Sequence, residues 1–90
     1  MQRDREYLLD ILQAAGFILS FIRGKSKEQF LQDVQCQDAV IRRLEIIGEA
    51  ARRISLETRH ELSSIPWDDM VGVRNKLIHE AFHRGLLLLG

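Results

Sequence analysis

Residues 8–22 read LLDILQAAGFILSFI, and the spacing of their apolar side chains indicates the fold class. One apolar stripe recurs at the three- and four-residue intervals of an α-helix, and it comprises Leu8, Ile11, Leu12, Ala15, Ile18, Leu19 and Ile22. No alternation of apolar and polar residues competes with it. The pattern therefore predicts a first helix over about residues 3–22, which Arg23 and Gly24 end.

A second apolar stripe lies beside the first on the same predicted helix. It consists of Tyr7, Ala14, Phe17 and Phe21. The two stripes together are wider than one neighbouring helix needs. We therefore expect the surplus apolar surface to contact a partner subunit.

The middle of the chain predicts a short helix followed by a long one. Ser26 and Gln29 have the spacing of a capping box, which favours a second helix to about Leu31. Asp33 or Asp38 is expected to cap the third helix, which ends near position 55. Its apolar stripe is Val40, Leu44, Ile47, Ala51 and Ile54.

The last third predicts one more long helix. Residues 56–64 are expected to form a turn or a short helix. Pro66, followed by Trp67 and two aspartates, is typical of a helix start, because proline fits the first turn and carboxylates favour its dipole. We expect this fourth helix to run to about Phe82, with Trp67 as a core anchor. The sequence as a whole predicts an all-α fold.

Length, composition and charge limit the class of protein. Ninety residues with 46% hydrophobic content predict a single domain over residues 1–90. The formal net charge is zero, so no global field attracts nucleic acid and any such contact is local. The single Cys36 excludes an internal disulfide, and the start lacks a signal-peptide pattern. We expect a cytoplasmic protein without a membrane span.

Four arginines on the third helix allow two interpretations. They are Arg42, Arg43, Arg52 and Arg53. Glu45 and Glu49 lie three or four residues from them, which favours a solvated ladder of ion pairs, each contributing little. The alternative is that the arginines face phosphates, although the acidic neighbours dilute that charge.

Arg74 occupies an unusual position on the fourth helix. A helical wheel places it near the middle of the apolar arc, between Val71 and Ile78. Burial of an unpaired guanidinium is costly, because the group cannot lose its proton. Arg74 is therefore expected either to pair, for example with Glu49, or to face a cleft or subunit interface.

Asn75 and His79 lie one turn apart at the edge of the same arc. The side chains of Arg74 and His79 point about 140° apart on the helical wheel, so those of one helix do not converge on a single atom. A second helix, most simply the same helix of a twofold partner, would complete the site. A histidine base and an arginine suit metal-independent phosphoryl transfer. In that reaction the histidine deprotonates a ribose 2′-hydroxyl and the arginine stabilises the phosphate.

The motif resembles that of a known family. Arg74-Asn75-Lys76-Leu77-Ile78-His79 matches the arginine, polar residue, spacer and histidine of the HEPN superfamily. Residues 65–67, IPW, and 47–51, IGEAA, resemble its HepT-like branch. The resemblance covers about residues 3–82 and leaves 83–90 as a short tail.

The resemblance implies a HEPN-like, up-and-down four-helix bundle that is C-terminally shortened and homodimeric. It implies a metal-independent endoribonuclease, acting as the toxin of a toxin–antitoxin pair with a minimal nucleotidyltransferase as antitoxin. Arg74 would stabilise the phosphate, Asn75 would be the accompanying polar residue, and His79 would be the general base. No cofactor or metal is implied.

One departure from the family pattern keeps a second hypothesis open. A tyrosine that the antitoxin modifies usually follows the histidine by two residues, and Ala81 stands there in this chain. The alternative function is a non-catalytic helical partner that docks on the nucleotidyltransferase and assists nucleotide binding. A small DNA-binding regulator is disfavoured by the zero net charge.

Overall fold

The computed structural model describes residues 2–73, 75, 76 and 79, and every regular element in that part of the chain is a helix. Four of the helices are α1 (Gln2–Ile22), α2 (Lys27–Gln32), α3 (Val34–Arg53) and α4 (Leu56–Glu61). Residues 67–73, 75, 76 and 79 are also helical and form what we call the motif helix. The all-α fold is thus confirmed, and residues 56–61 form a short helix rather than a turn.

The helix starts follow the capping signals of the sequence. Ser26 Oγ accepts a hydrogen bond from the Gln29 amide at 3.1 Å, and Gln29 Oε1 accepts one from the Ser26 amide at 2.8 Å. This reciprocal pair is the predicted capping box. Asp33, rather than Asp38, caps α3 by accepting a hydrogen bond from the Cys36 amide at 2.9 Å.

Contacts at both ends of α1 show that α1 and α3 are antiparallel. At the beginning of α1, the Asp4 carboxylate accepts hydrogen bonds from Ser55, just beyond the end of α3. At the far end, Cys36 near the start of α3 places its Sγ 3.6 Å from the Phe21 carbonyl oxygen. The chain therefore runs up along α1 and down along α3.

The core lies between α1, α3 and the motif helix. Its buried apolar side chains are Ala14, Cys36, Val40, Ile47, Ala50, Ala51, Ile54 and Trp67. The predicted α3 stripe is confirmed, although Leu44 is only half-buried. Trp67 packs with Ala51 and Ile54, as expected for a core anchor.

The two predicted stripes of α1 are divided between the core and the surface. Ala14 is buried and Tyr7 packs against the core, whereas Phe17 is 38% exposed. Leu12 and Leu19 of the first stripe are 68% and 62% exposed. Part of the apolar surface of α1 is therefore left uncovered, as the width of the two stripes predicts. The predicted dimerisation stays a prediction.

Among the residues that the structure describes, no helix has both the length and the apolar character needed to cross a membrane.

Candidate functional site

The start of the motif helix is fixed by Trp67. Its indole Nε1 donates a hydrogen bond to the Leu62 carbonyl at 3.1 Å, while the ring is buried against Ala51 and Ile54. The first helical hydrogen bond runs from the Met70 amide to the Pro66 carbonyl at 3.0 Å. A buried, hydrogen-bonded tryptophan therefore sets where the helix that carries the candidate motif begins.

Gly48 brings α3 into backbone contact with the motif helix. A Cβ atom built at this buried glycine would lie 3.3 Å from the Val71 carbonyl oxygen and 3.5 Å from that of Met70. Since the nearest atoms belong to a helix backbone, a side chain here would displace the helix as a whole. Val71 lies one turn before Asn75, so Gly48 sets the separation of the two helices next to the motif.

A polar pocket of about 330 Å³ lies where α3 meets the motif helix, and we call it the α3 pocket. It is lined by Glu45, Gly48, Glu49, Arg52, Val71 and Asn75. The α3 members recur every three or four positions, so they share one face of that helix. The pocket thus places two carboxylates and a guanidinium beside one residue of the candidate motif.

Ion pairs organise the charges around this pocket. Glu49 contacts Arg52 Nη2 at 2.6 Å and Arg53 Nη2 at 3.0 Å. The hydrogen bond from Arg52, together with the positive charge of both arginines, lowers the pKa of the Glu49 carboxyl below its ordinary value, so Glu49 is ionised at neutral pH. Arg42 pairs with Glu45 at 3.4 Å. Three of the four arginines thus form the predicted ion pairs, whereas the guanidinium of Arg43 lies over the Phe17 ring, 4.1 Å from its centroid.

Two of the three sequence-predicted site residues lie within the described part of the chain. Asn75 and His79 are both helical and exposed, and Asn75 lines the α3 pocket. One helical turn separates them, about 6 Å along the axis. Arg74, and with it the suggested pairing to Glu49, lies outside the described residues, as do Ala81 and Phe82.

The arrangement supplies the groups that acid–base chemistry on a phosphodiester requires. The imidazole of an exposed histidine can accept a proton from a substrate hydroxyl or donate one to it. The side-chain amide of Asn75, one turn away, can hold an oxygen of a phosphate. Among the described residues, no group of three histidine, cysteine or acidic side chains is arranged to hold a metal ion.

The sequence did not indicate that Glu45 and Arg52 line a pocket together with Asn75. Positions 45, 49 and 52 follow the spacing of one helix face, and this was a signal available in the sequence. What the sequence did not show was which face of α3 meets the motif helix. That choice depends on Gly48, the position at which the backbones come together.

Comparison with known proteins identifies the family. The family described as HepT-like, ribonuclease HepT-like, matches residues 11–83. That range includes α3, the α3 pocket and the whole of the candidate motif. No solved structure matches the chain significantly.

Several curated proteins are similar over most of the chain. "Probable ribonuclease HepT" of Thermococcus cleftensis is 45% identical over 87% of this chain and 71% of its own length. "Putative RNase TTE0752" of Caldanaerobacter subterraneus subsp. tengcongensis is 43% identical over 91% of this chain and 73% of its own. "Putative RNase MJ1380" of Methanocaldococcus jannaschii is 40% identical over 94% and 78%, respectively. With the family match and these identities together, the chain belongs to the HepT-like ribonuclease family.

Proposed function

We propose that this chain is a metal-independent endoribonuclease that cleaves RNA with Arg74, Asn75 and His79. The observation that carries the proposal is the placement of Asn75 and His79, exposed and one turn apart, with Asn75 in a polar pocket. Membership of a ribonuclease family and the names of the relatives support RNA as the substrate.

The proposed chemistry is an internal transfer of the phosphoryl group. His79 takes the proton from a ribose 2′-hydroxyl, whose oxygen attacks the neighbouring phosphorus. The bond from phosphorus to the 5′-oxygen of the next nucleotide then breaks, that oxygen takes up a proton from water, and His79 returns its proton to the solvent. The products are a 2′,3′-cyclic phosphate and a free 5′-hydroxyl. Arg74 stabilises the extra negative charge on the phosphate, and Asn75 orients a phosphate oxygen.

The proposal includes a homodimer in the cytoplasm. The wheel separation of about 140° between Arg74 and His79 supports a cleft that two protomers share. The exposed leucines of α1 provide apolar surface for association. In this proposal the chain is the toxin of a toxin–antitoxin pair, and a minimal nucleotidyltransferase is its antitoxin.

The test is cleavage of a mixed-sequence single-stranded RNA by the purified chain in EDTA. We expect cyclic phosphate ends from the unmodified protein. His79→Ala should lower kcat/KM by about 10²–10⁴-fold, since a general base contributes that much. Arg74→Ala should have a comparable effect, and Asn75→Ala should lower the rate as well.

His60→Ala is the matched control, because His60 is another exposed helical histidine that lies on α4, outside the motif. Its cleavage rate should equal that of the unmodified chain. A folded, helical protein that leaves RNA intact would contradict the proposal. That result would favour the non-catalytic docking partner, which the alanine at position 81 also suits.

A further inference from the structure

Lys76 and Asn75 flank His79 on the turn of the motif helix that precedes it. All three residues are helical and exposed. Residues three or four positions apart are neighbours on a helix surface, with Cβ atoms about 5–6 Å apart. Lys76 is therefore as close to the proposed general base as Asn75 is, and its ammonium group brings a positive charge to that surface.

The side of the motif helix that carries Asn75 disfavours a polyanion. Asn75 lines the α3 pocket, in which the carboxylates of Glu45 and Glu49 stand against one guanidinium group, that of Arg52. A phosphate backbone that crossed this pocket would meet more negative than positive charge. An RNA strand held at His79 is therefore expected to continue on another side of the helix.

Lys76 occupies a side of the motif helix that is turned away from α3. Val71 marks the side that meets α3, because its carbonyl oxygen is the nearest atom to a Cβ built at Gly48. Five residues along a helix correspond to a rotation of about 140°, which separates Lys76 from that contact. The Lys76 side chain is 74% exposed. A strand that leaves His79 on this side meets an accessible cation.

Asp69 is the residue that Lys76 contacts in the structure. The Nζ atom of Lys76 lies 3.7 Å from Oδ1 of Asp69, and both side chains are 74% exposed. Asp69 precedes Lys76 by two helical turns, so this ion pair draws the ammonium group towards the start of the helix and away from His79. An exposed pair of this kind contributes little free energy. A phosphate can therefore replace the carboxylate as the partner of Lys76.

We propose that Lys76 exchanges Asp69 for the RNA phosphate next to the one that is cleaved, so that the strand leaves His79 on the side of the motif helix turned away from α3. The inference rests on the ribonuclease function proposed above and adds a substrate contact to the Arg74–His79 motif. Lys76 is then a binding residue, and its loss weakens the complex with RNA more than it slows the chemical step.

The experiment measures binding of a labelled, mixed-sequence 2′-O-methyl RNA, which lacks the attacking hydroxyl, by fluorescence anisotropy over a series of NaCl concentrations. For Lys76→Ala we expect Kd to rise about 3- to 10-fold and the slope of log K against log salt to shrink by about 0.7, the value for one phosphate contact on a single strand. In cleavage of unmodified RNA, the larger part of the loss should appear in KM rather than in kcat.

Replacement of Asp69 tests the exchange with the opposite sign. Asp69→Asn removes the competing carboxylate, so Kd should fall about two- to fivefold, the equivalent of an exposed ion pair. The gain should disappear when Lys76→Ala is present as well, because the carboxylate then has no ammonium group to withhold. Asp68→Asn removes the same charge from the neighbouring exposed position and should leave Kd unchanged at physiological salt.

Arg53→Ala is the matched control for Lys76→Ala. Arg53 is likewise exposed and ion-paired, but it lines a pocket on the α1 side of α3. Its loss should change neither Kd nor the salt slope. Lys76→Arg should retain the slope, since the charge is kept. Circular dichroism of all variants checks that the helices are retained.

An unchanged salt slope in Lys76→Ala, or an equal loss in Arg53→Ala, would overturn the inference if the protein still cleaves RNA in a His79-dependent manner. A gain from Asp69→Asn that persists without Lys76 would overturn the exchange. The proposed function would survive these results. A folded chain that neither binds nor cleaves RNA would overturn both.

Discussion

Asp4 is the buried carboxylate of the described core, and it joins two helices. It accepts hydrogen bonds from the Ser55 amide at 3.0 Å, from Ser55 Oγ at 2.6 Å and from Thr58 Oγ1 at 2.6 Å. Ser55 in turn caps α4 through the Thr58 amide. These bonds lower the pKa of Asp4 below its usual value of 3.8, and the bond from the Ser55 hydroxyl has the largest effect. The fold therefore favours the ionised form.

The sign of the pH dependence follows from this lowered pKa. Asp4 contributes stability that is complete above the unfolded-state pKa and is lost as the pH falls through the folded-state pKa. We expect Asp4→Asn to be less stable than the unmodified chain at pH 7, and the difference to shrink as the pH falls below the ordinary pKa of an aspartate. Urea midpoints measured at pH 7 and at a series of acidic pH values test the effect.

Asp10→Asn is the control for this measurement, because Asp10 is an exposed carboxylate on the same helix. Its urea midpoint should follow that of the unmodified chain at every pH. Asp33 and Glu49 also have lowered pKa values, so the unmodified chain loses stability in acid for several reasons. A difference between Asp4→Asn and the unmodified chain that does not depend on pH would contradict the assignment.

At the scale of the elements, the contact between α3 and the motif helix depends on Gly48. Alanine in place of glycine within a helix normally contributes about 1 kcal/mol of stability. Gly16 on α1 has open space where its Cβ would lie, so Gly16→Ala should show this gain. Gly48→Ala should not, because its Cβ meets the Val71 carbonyl at 3.3 Å. Chemical denaturation of both variants measures the difference.

A larger side chain extends the same test to activity. Gly48→Val should lower the free energy of unfolding by about 1–3 kcal/mol, as overpacked side chains usually do. Because the motif helix has to move away from α3, we also expect a lower cleavage rate in the fraction that stays folded. Equal stabilisation in Gly16→Ala and Gly48→Ala would show that the two helices are not held together at this glycine.

The elements were more predictable from sequence than their relative orientation. The capping box at Ser26 and the anchor at Trp67 depend on interactions close in sequence, and both were found as expected. The orientation of α1 depends on contacts with residues far along the chain, so the sequence did not indicate which members of its two apolar stripes stay exposed. Likewise the motif at Asn75 and His79 was visible in the sequence, whereas the pocket between α3 and Asn75 depends on the packing of the two helices at Gly48.

At the scale of the whole molecule, the shared cleft makes a prediction about mixed dimers. If each active site takes Arg74 from one protomer and His79 from the other, a dimer of one Arg74→Ala chain and one His79→Ala chain retains one complete site. An equal mixture of the two inactive proteins, allowed to exchange subunits, should therefore regain about a quarter of the unmodified activity.

Each variant alone is the control for the mixture, and sedimentation at the same concentration establishes that dimers form. If both residues acted within one protomer, every site in the mixed dimer would lack one of them. No recovery of activity by a mixture shown to contain mixed dimers would exclude the shared site.

The link between Asp4 and Ser55 also bears on how the molecule assembles during synthesis. The two residues are separated by 51 positions, so the acceptor at the beginning of α1 leaves the ribosome long before its donors do. Closing a loop of this length costs only about 0.6 kcal/mol more than closing one of half the length, so the entropy of closure is a small obstacle to this contact. The order of synthesis is what decides when the contact forms. Until residues 55–58 emerge, the carboxylate is satisfied by water. The hydrogen bonds that fix the first turn of α1 therefore form late, after α3 has been synthesised and shortly before the motif helix is.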